Sequence, residues 1–255
     1  MQLKLLGTAP GMPIIDRTHA ALLWSFEEQG ILIDAGPGTS IRIVQEKLSK
    51  DFISKIIITH FHPDHSVGIF MLLQMWLIQE RTNKLTIYIP EGSKERFWNV
   101  LNYFYIFEEV LPFPIEIKQI CNLQIHNYYI TVFKNTHLDS YKKLFEKKSY
   151  INEGSSWSVI INTEQKRVLY SSDIGNIDDI KDEIIRSDLI IVDGMHIDLD
   201  ELFITVSQID RYKKIILNHL SVDLLANNDK LMDKVDKYEL MNVIVAYDGW
   251  YLDIS

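Results

Sequence analysis

Three histidines and an aspartate fall within six positions in His60-Phe61-His62-Pro63-Asp64-His65. Imidazole nitrogens and carboxylate oxygens are the donors that zinc and similar divalent ions take. A lone histidine here would more often be a surface or core residue. Four donors converging from six residues crowd a single tetrahedral ion, so the spacing suits two metal positions better than one. Three further donor-type residues stand just past apolar segments: His137 after 128–133, Asp173 after 167–171 and His219 after 214–218. Each alone reads equally as a cap or turn residue; together with the cluster they read as the rest of a ligand set. His196, in Asp193-Gly194-Met195-His196, is an eighth candidate, with a surface histidine as its alternative reading.

The elements around these residues follow from apolar periodicity and turn-formers. Residues 54–59 read as a strand that ends in a turn at Pro63 and opens a helix near His65, which throws all four polar side chains of the cluster into one pocket. Other strands are expected at 2–6, 20–26, 31–34, 85–89, 115–118, 128–133, 158–162, 167–171, 189–192, 214–218, 242–246 and 250–254. Helices are expected from Thr39 or Ser40 towards Leu48, and over 67–78, 199–212 and much of 223–238. The 67–78 segment is apolar almost all round, which predicts burial against a sheet or in a subunit interface. Residues 97–113 are dense in aromatics and read as core or interface. Residues 138–154 are polar and lysine-rich and read as a mobile loop. Two packed sheets with helices outside is the architecture that this order favours. The chain shows no repeat and no Pro- or Ser-rich linker, so residues 1–255 read as a single domain.

Composition narrows the function classes. Hydrophobic residues are 47% and charged residues 24% of 255, ordinary values for a chain that buries a sizeable core. The net charge of −9 argues against a long nucleic-acid partner, which a basic face would serve. The small cluster Lys142, Lys143, Lys147 and Lys148 reads as a solvated loop. No run is long enough to span a membrane, and the N-terminus lacks the pattern of a signal peptide. Cys121 is the single cysteine, which favours a cytoplasmic location.

The pattern His-x-His-x-Asp-His resembles the signature of the metallo-β-lactamase superfamily. The chain resembles its ribonuclease Z-like branch nearly end to end, through residues 6–13, Ile33-Asp34-Ala35-Gly36-Pro37-Gly38-Thr39, the metal stretch, the three later donors and Ala246-Tyr247-Asp248-Gly249. The resemblance implies an α/β fold, the αββα sandwich, with a dinuclear site at its rim. It implies that His60, His62 and His137 hold one metal, that Asp64, His65 and His219 hold the other, and that Asp173 bridges them. The metals implied are two divalent ions, zinc by default and manganese as the alternative. Asp64 would also orient the attacking water or take its proton. His196 would contact the phosphate or protonate the leaving oxygen, although its surroundings are compressed relative to the family pattern. Such an ion pair activates water and clamps a phosphodiester.

Ribonuclease Z itself carries a tRNA-gripping arm between its third and fourth metal motifs. Here His137 and Asp173 are 36 residues apart, and a hairpin takes up part of that interval. The chain therefore looks more like the armless anti-Pycsar phosphodiesterases, which open 3′,5′-cyclic nucleotides, pyrimidine ones included. That likeness implies a small anionic nucleotide as substrate, a homodimer, and a role in evading cyclic-nucleotide immune signalling. A tRNA 3′-end nuclease, a lactonase or other ester hydrolase, and a non-enzymatic binding module remain the rival readings.

Overall fold

The computed structural model describes residues 1–254. Two seven-stranded sheets face each other. In chain order the first sheet receives β1 (Gln2–Gly7), β2 (Ala21–Phe26), β3 (Gln29–Ile33), β4 (Ile53–Ile57), β5 (Leu85–Ile89) and β6 (Ile115–Gln119). The second receives β7 (Leu123–Ile125), β8 (Tyr128–Asn135), β9 (Ser156–Asn162), β10 (Arg167–Tyr170), β11 (Leu189–Asp193), β12 (Lys214–Asn218) and β13 (Val243–Val245). Finally β14 (Tyr251–Asp253) returns to pair antiparallel with β1. Helices α1 (Thr39–Gln45), α2 (Pro63–Ser66), α3 (Gly68–Ile78), α4 (Lys94–Tyr103), α5 (Asp139–Lys148), α6 (Lys181–Arg186), α7 (Leu199–Ile209), α8 (Val222–Ala226) and α9 (Asn228–Lys237) occupy the connections.

Each sheet is antiparallel in one half and parallel in the other. In the first, β3, β4, β5 and β6 run parallel; in the second, β10, β11, β12 and β13 do. The parallel strands β5 and β11 are apolar-rich and buried at every position, as strands covered on both faces must be. The central core joins Leu3, Trp24, Ile31 and Ile57 of one sheet to Ile130, Val159, Tyr170 and Ile191 of the other. Two outer cores set helices on the far faces: Ile69, Leu72 and Trp76 of α3 on the first sheet, and Leu202, Phe203 and Val206 of α7 on the second. The layers are helix, sheet, sheet, helix.

This topology collects chemistry at one edge. Strands β3, β4, β10, β11 and β12 present their carboxyl ends there, and β8 does so too because β8 and β10 are both antiparallel to β9. Carboxyl ends of parallel strands, where the chain leaves the sheet, are where α/β folds place their ligands.

One expectation needs correction, and two are met only on the face turned to the sheet. Residues 138–154 are not a loop throughout: Asp139–Lys148 is helical, with Asp139 in its first turn and Lys147 and Lys148 in its last. Those charges complement the helix dipole. Helix α3 is not buried all round. Ile69, Leu72, Leu73 and Trp76 face the sheet, while Met71 and Ile78 are 55% and 73% exposed. The aromatic run divides as well, with Trp98 in the core but Tyr103 and Tyr105 both 82% exposed. A short helix packed on one side of a sheet buries only the stripe that faces it.

Candidate metal centre

The first donors are placed by the end of β4. Pro63 occupies the first turn of α2, where its missing N–H costs nothing, and His62 is the N-cap residue. His60 is completely buried and His65 nearly so. The turn requires close approach of the backbone: a Cβ on Gly68 would lie 2.1 Å from the Gly36 carbonyl oxygen, and one on Gly36 would lie 2.1 Å from the Asp64 carbonyl oxygen. The later donors follow β8, β10 and β12. Asp34, Ser172 and His219 all take left-handed backbone, with φ of 61°, 53° and 55°. Non-glycine residues there carry strain, and such strain gathers at functional sites.

The structure brings all seven sequence-derived ligand candidates together. His60, His62, His137 and Asp173 form one group of donors within 4.8 Å of one another; Asp64, His65, Asp173 and His219 form a second. Asp173 belongs to both and divides its oxygens between them. Its Oδ2 lies 3.8 Å from His60 Nε2 and 3.6 Å from His137 Nε2. Its Oδ1 lies 3.1 Å from His65 Nε2 and 3.3 Å from His219 Nδ1. His219 Nε2 and His65 Nε2 stand 3.1 and 3.6 Å from Asp64 Oδ2.

Whether this set fits a metal is decided by its unsatisfied atoms. His60 Nε2, His65 Nε2, His219 Nδ1 and Asp173 Oδ1 are buried without a hydrogen-bond partner. Buried polar atoms without partners are costly and rare. Three imidazole nitrogens and an oxygen of the carboxylate they converge on are accounted for by a divalent cation, and this donor set is the one that such cations take.

The electrostatics favour positive charge as well. Burial disfavours the His219 imidazolium, but Asp173, Asp193 and Asp64 outweigh it and lift the ring to about 10. His65 is raised in the same way by Asp173 and Asp34 against its own burial. Burial pushes His60 well down and brings His137 to about 4, which leaves their nitrogens unprotonated and open to a cation. Burial would raise the Asp64 carboxyl, yet the His219 hydrogen bond and the charge of His65 hold it at about 2.

A surrounding set of groups orients these donors. His65 Nδ1 lies 2.8 Å from Asp34 Oδ2. A carboxylate only accepts, so Nδ1 carries the hydrogen and Nε2 is left to face the centre. Asp34 is itself fully buried and is held by the Thr59 N–H at 2.8 Å and its hydroxyl at 2.9 Å. His196 lies beside the ligand candidates, its ring 4.7 Å from that of His137. Its Nδ1 is 2.9 Å from Asp193 Oδ2, and it retains 30% of its side-chain exposure. Burial lowers His196, but the Asp193 hydrogen bond and charge raise it overall. Asp173, Asp193, His196 and His219 thus form a third cluster of donors within 4.8 Å.

Sequence reasoning assigned no role to Asp34, Asp193 or His19. The first two lie in quoted motifs, and an acidic residue ending a wholly apolar strand was the available signal. His19 is 9% exposed with an unpartnered Nδ1, and Asp64, His65 and His219 are close enough to act on its charge. No local pattern marks it.

The sequence model of the anti-Pycsar protein Apyc1 family matches residues 1–238. The chain belongs to the anti-Pycsar Apyc1 family. A curated relative, ribonuclease Z of Methanococcus maripaludis, is 32% identical over 143 residues, which is 54% of this chain and 45% of that protein. The ribonuclease Z of Clostridium botulinum is 33% identical over 122 residues, 48% of this chain and 38% of that protein. The chain thus matches less than half the length of these relatives. The short form of human tRNase Z superposes with a TM-score of 0.73 at 19% identity, covering 100% of both chains. The Zn2+-bound PqqB of Methylobacterium extorquens does so with a TM-score of 0.70 at 15% identity, again covering 100% of both. The metallo-β-lactamase-fold protein YhfI of Bacillus subtilis gives a TM-score of 0.73 at 16% identity over 98% of each chain. This member of the Apyc1 family therefore has the metallo-β-lactamase fold, in its ribonuclease Z-like branch.

Proposed function

We propose that the protein is a dinuclear metal-dependent phosphodiesterase that hydrolyses 3′,5′-cyclic nucleotides, pyrimidine and purine, to 5′-monophosphates. The observation that carries this reading is Asp173, whose two oxygens face two separate donor groups beside the Asp193–His196 pair. Family membership supports the substrate class.

His60, His62, His137 and Asp173 would hold one ion, and Asp64, His65, His219 and Asp173 the other. Zinc suits this donor set, with manganese the alternative. Bound there, divalent ions neutralise phosphoryl charge and make water a competent nucleophile at neutral pH. The chain's own residues supply the rest. Asp34 fixes the His65 ring and Asp193 fixes that of His196. With Nδ1 bonded to Asp193, protonated His196 donates from Nε2 to the departing O3′ as the P–O3′ bond breaks, the bond from water oxygen to phosphorus forms and Asp64 takes the water's proton. The product is a nucleoside 5′-monophosphate with a free 3′-hydroxyl. In an anti-phage setting this reaction would remove a cyclic-nucleotide signal.

A second reading, a tRNA 3′-end nuclease, is favoured by the ribonuclease Z relatives. The interval from His137 to Asp173 bears against it. It is taken up by α5, residues 149–155 and the hairpin of β9 and β10, which leaves no length for a tRNA-gripping arm. The test is to incubate the metal-replete protein with cyclic nucleotides and with a precursor tRNA. Linear 5′-monophosphates beside intact tRNA are expected; trimmed tRNA beside intact cyclic nucleotides would make the protein a nuclease.

A homodimer belongs to the same reading. Ile41 and Val44 of α1 and Met71 and Ile78 of α3 are each more than half exposed and line one groove of about 450 Å3. Contiguous exposed apolar surface of this kind supports a subunit interface. Light scattering is expected to give twice the chain mass for the native protein and the single mass for Met71→Asp with Ile78→Asp. A native monomer would remove the dimer from the reading. Among the described residues, no helix is long and apolar enough to cross a membrane.

A further inference from the structure

Helix α5 begins two residues after the donor His137, yet none of its ten residues is buried. A short helix usually holds its place through an apolar stripe packed on a core. Here the aromatic residues Tyr141 and Phe145, one turn apart, are left for another use. Their rings are nearly parallel, with planes 10° apart and centroids at 5.9 Å. Tyr141 is 43% exposed, and its ring stands 6.2 Å from that of His62 at an angle of 80°. Among the described residues, it is the one tyrosine, phenylalanine or tryptophan whose ring pairs with that of a donor histidine.

The aromatic pair is supported from behind. Phe145 meets Gly154, where φ is 66° and where a Cβ would lie 3.1 Å from Phe145 Cε2. The neighbours of that glycine are tied down: the buried Glu91 carboxylate accepts the N–H groups of Glu153 at 3.1 Å and Ser155 at 2.8 Å. The Arg96 guanidinium donates to the Ile151 carbonyl at 3.2 Å. A ring held in place before any ligand arrives loses little freedom on binding.

The centre opens on the side that Tyr141 borders. His60, His65, Asp173 and His219 are buried, whereas His62 is half-buried and His196 keeps 30% of its side-chain exposure. The rings of Tyr141, His62, His137 and His196 follow one another along this side at 6.2, 5.0 and 4.7 Å. A phosphate ester that reaches the donors leaves the rest of its molecule against this row. His196 is taken by O3′ in the phosphodiesterase reading, which leaves Tyr141 to meet the base. In a cyclic nucleotide one ribose ring separates phosphate from base; in the protein one imidazole separates Tyr141 from the metal position of His62.

We infer that Tyr141 stacks on the nucleobase of the cyclic nucleotide whose phosphate lies at the metal centre. The inference rests on the phosphodiesterase reading above and adds a named contact to it. An aromatic face gains from a flat heterocycle what an aliphatic side chain of similar bulk does not.

The test compares the metal-replete native protein with Tyr141→Leu, which removes the ring, and with Tyr141→Phe, which keeps it. Each is assayed on cyclic UMP and on the abasic ribose 3′,5′-cyclic phosphate. Tyr141→Leu is expected to lower kcat/KM on cyclic UMP by about tenfold or more through KM, and on the abasic ester by less than about twofold. Tyr141→Phe is expected to keep both values. Metal content and melting curve should match the native protein in both variants, because α5 buries no residue. Saturation-transfer NMR should show base protons of uridine 5′-monophosphate receiving magnetisation from the native protein and from Tyr141→Phe, and losing it in Tyr141→Leu. An equal loss on the two esters would overturn the stacking and make Tyr141 a contact to ribose or phosphate. A Tyr141→Phe protein as impaired as Tyr141→Leu would overturn it too, by assigning the effect to the hydroxyl. Unchanged activity on both esters in Tyr141→Leu would overturn it while leaving the phosphodiesterase intact. A native protein inactive on both esters would remove the phosphodiesterase reading, and the stacking with it.

Discussion

Asp173→Asn is expected to lower turnover of cyclic nucleotides by about 10⁴-fold or more and to reduce bound metal to at most one ion per chain. Asp173 is 2% exposed, and it alone belongs to both four-donor groups that exclude His196. The amide keeps the shape but loses the charge, and one of its two ends becomes a donor facing an imidazole or a cation. The remaining histidines then lose the anion they share, and against the lowering by burial His219 keeps only Asp193 and Asp64 to raise it. Removing one partner from a buried charge cluster costs about 3–5 kcal/mol. The metal-free variant should therefore melt below the metal-free native protein. Metal content by mass spectrometry, turnover and the melting curve read these effects separately. Asp64→Ala and His62→Ala change more exposed positions and should abolish turnover with the fold retained. A fully metallated, active Asp173→Asn protein would show that the centre lies elsewhere.

The second large effect is at His196. His196→Ala is expected to cost about 10²–10⁴-fold in kcat on cyclic nucleotides, the usual worth of a positioned general acid. The departing 3′-alkoxide is a poor leaving group unless it is protonated, and the His196 nitrogen opposite the Asp193 bond is placed to do this. p-Nitrophenolate leaves without a proton. On bis(p-nitrophenyl) phosphate the same variant should therefore lose less than about tenfold. Asp193→Asn should show the same split more weakly, because Asp193 acts through the His196 ring. Equal losses on both substrates would mean that His196 contacts the phosphate or belongs to the metal set of the third cluster. This comparison separates the two roles that the resemblance leaves open.

Local sequence carried much of this site. His60, His62, Asp64 and His65 are neighbours in the chain, and a strand, a proline and a short helix are enough to aim them. His137, Asp173 and His219 were legible because each follows an apolar strand whose end could be read. Helix α5 was obscured by its lysines, since a polar exposed helix leaves only Tyr141, Leu144 and Phe145 as an apolar signal. The exposure of Met71 and Ile78 was equally hidden, because an apolar helix does not state which of its faces meets a sheet.

What the residues determined by themselves was the donor chemistry, the strands that carry it and the alternation of helix and sheet. These depend on residue type and on spacing over a few positions. Only the tertiary structure decided that Asp173 offers a different oxygen to each donor group, that Asp34 holds His65 and that Asp193 holds His196. Asp34 and His65 are 31 positions apart, and His219 and Asp64 are 155 apart. Such pairs exist because two twisted sheets, packed through one apolar core, bring the ends of distant strands to the same edge, and no short stretch of sequence encodes that meeting.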